Sequence, residues 1–176
     1  DHCFANHDRI AELNLYDGKA DRYFSGSPVP LAEELRTWAL GETEAISSVT
    51  YPRERPYYVE LSPEKMLPYE LETIEIDTCY NKIFTPEMVA GHWKMASQSL
   101  NSVILSQSMA IKIFGNAESA IGKHMTLMRR LNTSPESTPK TGGIVYTIQA
   151  VMKDIPLNNS LDFMQNIDML TVNDSE

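Results

Sequence analysis

The sequence predicts an α+β domain that is built from mixed β-sheets and a few short helices. The predicted elements run strand, helix and three strands, and this order occurs a second time along the chain. Strands and helices do not alternate regularly, as they would in a doubly wound α/β fold. The chain has 176 residues, of which 42% are hydrophobic and 22% charged. A globular chain of this length can bury a core without metals or disulfides.

The first elements are predicted over residues 9–40. Residues 9–16 are typical of a strand or of a short helix leading into one, residues 17–19 of a turn, and residues 23–30 of a loop. A helix follows over 29–40, because proline is tolerated in a first helical turn and acidic side chains favour that end of the helix dipole. Its apolar side chains share one face, so we expect the helix to pack on another element. They are Leu31, Leu35, Trp38 and Ala39.

The middle of the chain predicts three strands. Two lie within residues 46–61 and are separated by a turn over 52–56, which holds two prolines. The third, over 69–77, alternates apolar and acidic side chains with one slip, which indicates a half-buried strand with a bulge. Residues 79–91 predict a turn and then a short helix, with Thr85 as its N-cap and Pro86 in its first position.

The second half begins with an apolar strand at 102–105. Ser106 is a suitable N-cap for a helix over 107–114, and Gly115 is a suitable stop. Further strands are predicted near 123–129, 144–153 and 163–171. The polar segment 131–143, rich in proline and glycine, predicts a hairpin loop between two of them.

The net charge of −9 comes entirely from residues 1–88, because residues 89–176 carry equal numbers of acidic and basic side chains. Nucleic acids and anionic lipids require clustered Lys and Arg, so the charge argues against both as partners. We interpret the acidic half as a solvated surface, and the alternative is an acidic docking face. No apolar run reaches the ~18 residues of a membrane span. The chain begins at Asp1 without methionine, as expected of a segment from a longer protein.

The sequence carries no standard motif for catalysis or for binding a cofactor or a metal. No phosphate-binding loop, nucleophile elbow or HExxH helix occurs, and no catalytic, cofactor-binding or metal-binding residue is predicted. His2, Cys3 and His7 lie close together, but their spacing matches no standard ligand pattern. Single histidines such as His92 and His124 are more often structural than catalytic.

Two further features leave alternatives open. Cys3 and Cys79 could form a disulfide in an oxidising compartment. The carboxylates of the strand 69–77 are interpreted as a solvent-facing surface, and the alternative is a hydrolase that uses Glu72 and Glu75.

The stretch NSVILSQSMAIKIFGNAESAIGKHMTL, residues 101–127, resembles the signature of the MacB-type periplasmic core domain of FtsX-like ABC-transporter permeases. That signature has a strand, a Ser-x-x-x-Ala helix, Phe-Gly, an acidic spacer and Ile-Gly-Lys. The matching residues are Ser106, Ala110, Phe114, Gly115, Ile121, Gly122 and Lys123. We interpret them as structural, with the glycines supplying special backbone conformations and Phe114 and Ile121 filling core.

Other segments resemble the same family in the same order. Residues 146–160 resemble its next strand, which ends in Asp-Ile-Pro, here Asp154 to Pro156. Residues 76–93 resemble its strand, aromatic and Gly-terminated helix, with Phe84 and Gly91 at the corresponding places. Residues 7–14 and 30–35 resemble the N-terminal strand and first helix more weakly. The family usually continues beyond Asp-Ile-Pro, so the C-terminal part of this chain is expected to be short or truncated.

The resemblance implies an α+β domain in two lobes, residues 1–92 and 93–176, on the periplasmic side of the inner membrane. It also implies a non-enzymatic function without cofactors. Such a domain would couple ATP-driven motion of the transmembrane helices to export or release of a peptide, a lipoprotein or a small toxic compound. The implied partners are a cytoplasmic ATPase subunit, a second permease copy and another envelope protein. The alternative is a stand-alone binding module of the cell envelope, tethered by a single anchor.

Overall fold

A computed structural model describes most of the chain. The described residues are 7–24, 31–38, 41, 43–62, 64–99, 101–127, 143–156, 164 and 166–172. The predicted loop 131–143 lies outside them except for Gly143, and His2 and Cys3 also lie outside. The Cys3–Cys79 disulfide therefore stays a prediction.

Within these residues the chain forms four α-helices and nine β-strands. The helices are α1 (Leu31–Trp38), α2 (Tyr80–Phe84), α3 (Trp93–Gln98) and α4 (Gln107–Phe114), with short 3-10 helices at His7–Arg9 and Glu118–Ala120. The strands are β1 (Leu15–Asp17), β2 (Arg22–Phe24), β3 (Arg53–Ser62), β4 (Lys65–Ile76), β5 (Met88–Gly91), β6 (Ser102–Ser106), β7 (His124–Leu127), β8 (Ile144–Met152) and β9 (Met169–Val172).

Seven of the strands form one mixed sheet, in the order β5-β8-β6-β9-β4-β3-β7. The pairs β6–β8 and β4–β9 are parallel, and the other pairs are antiparallel. β7 also pairs with the beginning of β8, so six strands close into a ring and β5 extends the far end of β8. This mixed sheet with short helices confirms the predicted α+β class.

Strands from both sides of residue 92 pair with one another within this sheet. β4 lies beside β9, and β5 lies beside β8. The division into lobes at that residue stays a prediction, and any such lobes share one continuous sheet. β1 and β2 form a separate two-stranded hairpin around the turn that the sequence predicted, so residues 23 and 24 belong to a strand and not to the predicted loop.

Two hydrophobic clusters lie on opposite faces of the sheet, because successive side chains of a strand point to opposite faces. In β6, Val103 and Leu105 belong to one cluster and Ile104 to the other. The first cluster includes α4 and the 3-10 helix Glu118–Ala120, and the second includes α2 and α3. The helices therefore cover apolar faces that the sheet alone would expose.

The predicted turn over 52–56 is wrong. Residues 53–62 form the continuous strand β3, in which Arg53 pairs with Thr73 and Pro56 with Glu70. Proline cannot donate a ladder hydrogen bond, but it is tolerated at the edge of a sheet. Pro56 occupies such a place, since β7 pairs with β3 only over residues 57–59. The preceding run, predicted as a strand, contributes one isolated bridge between Val49 and Ile76.

The predicted helix beginning at Thr85 is also wrong. Thr85 lies at the C-terminal end of α2, in the left-handed conformation with φ of 41°, and its N–H donates to the carbonyl of Asn81 at 3.2 Å. Residues 88–91 are the strand β5, and Gly91 ends that strand where the resemblance implied the end of a helix. The apolar side chains of this segment favour pairing with β8, and that tertiary contact decides the structure.

Candidate functional site

The N-terminal end of α4 brings together two of the segments that carry the family resemblance. β6 and β8 are parallel neighbours in which Ser106 lies opposite Met152, so both strands end at the same edge of the sheet. The Ser106 hydroxyl accepts a hydrogen bond from the N–H of Met109 at 3.4 Å. Asp154 Oδ1 accepts one from the N–H of Ser108 at 3.0 Å. Both side chains thus cap the helix that follows β6.

The two glycines of the motif adopt backbone conformations that other residues reach only with strain. Gly115 has a φ of 87°, and its N–H donates to the carbonyl of Ile111 at 2.9 Å, which ends α4. Gly122 has a φ of 78°, and its N–H donates to the carbonyl of Ile148 at 2.8 Å. The second bond anchors the Ile-Gly-Lys turn on β8. The geometry of both glycines is that of a folding unit.

Asp168 lies at the same end of the sheet and was not singled out by the sequence. Its Oδ2 accepts from the N–H of Glu72 at 2.9 Å, and its own N–H donates to the carbonyl of Glu72 at 2.9 Å. Its carbonyl accepts from the N–H of Ser106 at 2.8 Å. Partial burial raises the pKa of the Asp168 carboxyl. An acidic residue directly before the apolar run Met169–Val172 is the signal that could have identified it.

The structure does not bring together the carboxylates proposed for a hydrolase. Glu72 and Glu75 are three positions apart in β4, so the pleat directs them to opposite faces. Glu75 forms an ion pair with Arg55 at 2.5 Å. The interpretation of residues 69–77 as solvent-facing on their acidic side is wrong for Asp77, which is 4% exposed. This pattern fits structural ion pairing better than a paired general acid and base.

The two single histidines of the sequence analysis, His92 and His124, lie on different elements. His92 is exposed at the N-terminal end of α3, and His124 is exposed on β7, where its Nδ1 lies 3.3 Å from the Thr147 hydroxyl. The structure describes no side chain for His7. Over the described ranges, no three His, Cys, Asp or Glu side chains are grouped as metal ligands.

The buried tyrosines of β3, β8 and α2 are packing groups. The rings of Tyr57 and Tyr146 meet edge to face, with centroids 6.2 Å apart inside the first hydrophobic cluster. Burial raises the pKa of Tyr57 to about 12, and burial also raises the pKa of Tyr80. Both side chains are therefore neutral at physiological pH.

No helix in the described part of the chain is long and apolar enough to cross a bilayer.

The fold is shared with a domain of a protein from Porphyromonas gingivalis that is classed as a permease. The two are 22% identical with a TM-score of 0.61, and the match covers 86% of this chain and 55% of that one. This likeness confirms at the level of the fold the resemblance seen in residues 101–127. The chain spans little more than half the length of that domain. No family model and no curated protein sequence matches the chain.

Two other solved structures resemble the chain with lower TM-scores. The periplasmic region of MacB from Actinobacillus actinomycetemcomitans is 16% identical with a TM-score of 0.49, over 89% of this chain and 61% of that one. The extracellular domain of the noncanonical ABC-type transporter YknZ from Gram-positive bacteria is 15% identical with a TM-score of 0.44, over 79% of this chain and 60% of that one.

Proposed function

We propose that this chain is the extracytoplasmic domain of an ABC-transporter permease. It couples ATP-driven motion of the transmembrane helices to export or release of cargo outside the inner membrane. The observation that carries the proposal is the fold shared with the permease domain over 86% of the chain. The domain has no catalytic role of its own in this proposal.

The architecture supports a mechanical role. Motion of this kind is transmitted by a body that moves without deforming. The closed ring has no free edge between β8 and β7, and it is covered on both faces by helices. Packed interiors of this type deform little and transmit displacement. The proposed partners are a cytoplasmic ATPase, a second permease copy and another envelope protein.

Rigid-body motion can be tested in the membrane protein that carries this chain, reconstituted with its ATPase. A background without Cys3 and Cys79 receives Lys94→Cys, an exposed position on α3, and a spin label. We expect the distance between the labels of two permease copies to differ between the nucleotide-free and ATP-bound states. Identical distances in every nucleotide state would contradict the coupling.

A second labelled pair within one copy serves as the matched control. Glu118 is exposed on the 3-10 helix that packs against the ring, so Lys94→Cys combined with Glu118→Cys reports on the body alone. This distance should stay constant while the distance between copies changes. A nucleotide-dependent change within one copy would instead show that the domain deforms, which contradicts rigid-body transmission.

A further inference from the structure

The carboxylate of Asp77 joins three separate segments of the chain. It follows the last residue of β4, and its side chain is 5% exposed. Oδ2 accepts hydrogen bonds from the Arg36 guanidinium and from the N–H of Ser48, the latter at 2.7 Å. Oδ1 accepts from the Ser47 hydroxyl at 2.8 Å and from the N–H of Cys79 at 2.9 Å. Four donors from α1, the segment 46–48 and the start of α2 thus meet on one buried carboxylate.

Arg36 supplies the contact from α1. Its Nη2 reaches Asp77, and its Nε donates to the carbonyl of Ile46 at 3.0 Å. The Arg36 side chain is 28% exposed, so the guanidinium is partly withdrawn from water. A charge-assisted contact in such a place is stronger than one on an open surface. One arginine therefore binds α1 both to the end of β4 and to the neighbouring segment.

Apolar burial holds α1 only weakly. The structure describes all eight residues of α1, and none of them is buried. Leu31 and Leu35 of the predicted apolar face are half-buried, whereas Trp38 is 78% exposed, contrary to the expectation for that residue. Among the described residues, neither hydrophobic cluster includes a member of α1. Since an isolated helix of eight residues is unstable in water, α1 depends on contacts with the rest of the domain, and Arg36 supplies two of these.

We propose that α1 is a detachable arm. When the Arg36–Asp77 contact opens, α1 separates from its neighbours in the domain, and the seven-stranded sheet stays folded. Asp77 keeps three donors after the guanidinium leaves, namely Ser47, Ser48 and Cys79. The carboxylate therefore remains satisfied, and the disturbance is confined to α1. A weakly packed element can open locally at a lower free-energy cost than the unfolding of the whole domain. The inference is independent of the transporter function.

Hydrogen exchange of the 176-residue chain tests the arm. Arg36→Met removes the charge and keeps a long side chain of similar helix propensity. We expect the protection of the amides of residues 35–38 to fall at least tenfold, whereas the amides of β6 keep theirs. The control is Arg9→Met, which removes an ion pair with Glu44 whose side chains are 58% and 77% exposed. That variant should leave the protection of both segments unchanged.

Two results would overturn the proposal. One is unchanged protection of α1 in Arg36→Met, and the other is a loss of protection in α1 and β6 together. Asp77→Asn and the double variant sharpen the test, because α1 should lose no more protection in the double variant than in Arg36→Met alone. If Asp77→Asn does not fold, Arg36→Met decides by itself.

Fluorescence gives a second readout of the arm. The sequence has two tryptophans, so Trp93→Phe leaves Trp38 as the reporter on α1. In that background the fluorescence anisotropy of Trp38 should fall when Arg36→Met is added. An unchanged anisotropy would contradict detachment of the helix.

Discussion

The ring of strands and the N-terminal region, described over residues 7–24 and 31–38, are held together by different interactions. Ring side chains such as Leu71, Leu105 and Ile148 are fully buried. In the N-terminal region, large apolar side chains including Tyr16 and Tyr23 remain exposed. That region is held by Ile10, which packs against the second hydrophobic cluster, by local polar contacts and by Arg36. The difference indicates that most of the apolar burial that stabilises the domain lies in the ring, whereas the N-terminal region contributes little of it.

The hairpin β1–β2 illustrates this local character. The Tyr16 hydroxyl donates to Asp21 at 2.7 Å, and the N–H of Lys19 donates to Asp17 at 2.8 Å. The rings of Tyr16 and Tyr23 lie 5.1 Å apart. All these contacts lie within one two-stranded hairpin, a structure that is marginally stable by itself. The residues with the family resemblance lie mainly in α4 and in the turns next to the ring strands β6, β7 and β8, where helix caps and backbone geometry define the local fold.

The largest expected effect is that of truncating a buried leucine of the ring. Leu105→Ala should lower the free energy of unfolding by about 2–5 kcal/mol, because it removes buried methyl groups and leaves a cavity. The matched control is Leu15→Ala in β1, where the leucine is 39% exposed and the loss should stay within about 0.5 kcal/mol. Urea unfolding measures both variants. Losses of equal size would show that the two regions are stabilised alike.

A glycine of β5, the strand that extends the ring at the far end of β8, should be the next most sensitive position. Gly91 has a φ of 69°, and a Cβ there would lie 2.2 Å from the carbonyl oxygen of Gln149. Gly91→Ala should therefore cost roughly 2–3 kcal/mol from backbone strain and collision with β8. At Gly18, in the hairpin turn, a Cβ would lie 3.7 Å from the Tyr16 ring, an ordinary contact. Thermal unfolding should show Gly18→Ala within about 0.5 kcal/mol of the parent chain, and a larger loss there than at Gly91 would refute the comparison.

The sequence predicted best those elements whose signals are local. The strand β6, the helix α4, its Ser106 cap and its Gly115 stop all lie within fifteen residues of one another, and all were found at the predicted places. Thr85 shows the limit of such signals, because Thr-Pro is compatible with both the beginning of a helix and the end of one. The pairing of β5 with β8 decided between them, and that contact joins residues about sixty positions apart.

The long-range features could not be predicted for the same reason. The closed ring depends on β7 pairing with both β3 and β8, and the Asp168–Glu72 contact spans 96 positions. Asp77 belonged by pattern to an alternating acidic strand, but its burial depends on Arg36 and Ser47, which are 41 and 30 positions away. An alternating pattern reports which face a residue occupies, and it does not report which partner covers that face.

The helix cap in the ring should have a moderate effect. Ser106→Ala removes the hydroxyl that accepts from Met109, which should cost about 1 kcal/mol. On α1, the Thr37 hydroxyl donates to the carbonyl of Glu34, a contact in the last turn of the helix that is exposed to water. Thr37→Ala should therefore change the free energy of unfolding by less than about 0.5 kcal/mol. Urea denaturation compares the two, and a Thr37→Ala loss as large as that of Ser106→Ala would show that α1 contributes to global stability.

The smallest expected effect concerns the carboxyl group of Asp168, which directly precedes the ring strand β9. Burial raises the pKa of Asp168, so its contribution to stability is present at low pH and is lost as the pH rises through the folded-state pKa. Asp168→Asn stays neutral and keeps an acceptor oxygen for the N–H of Glu72. Between pH 3 and pH 7 the variant should therefore gain stability relative to the parent chain, on the order of a few tenths of a kcal/mol because the site is half-exposed. Unfolding curves of both proteins at the two pH values measure this shift, and a relative loss at pH 7 would mean that the Glu72 N–H and the nearby Lys112 outweigh burial.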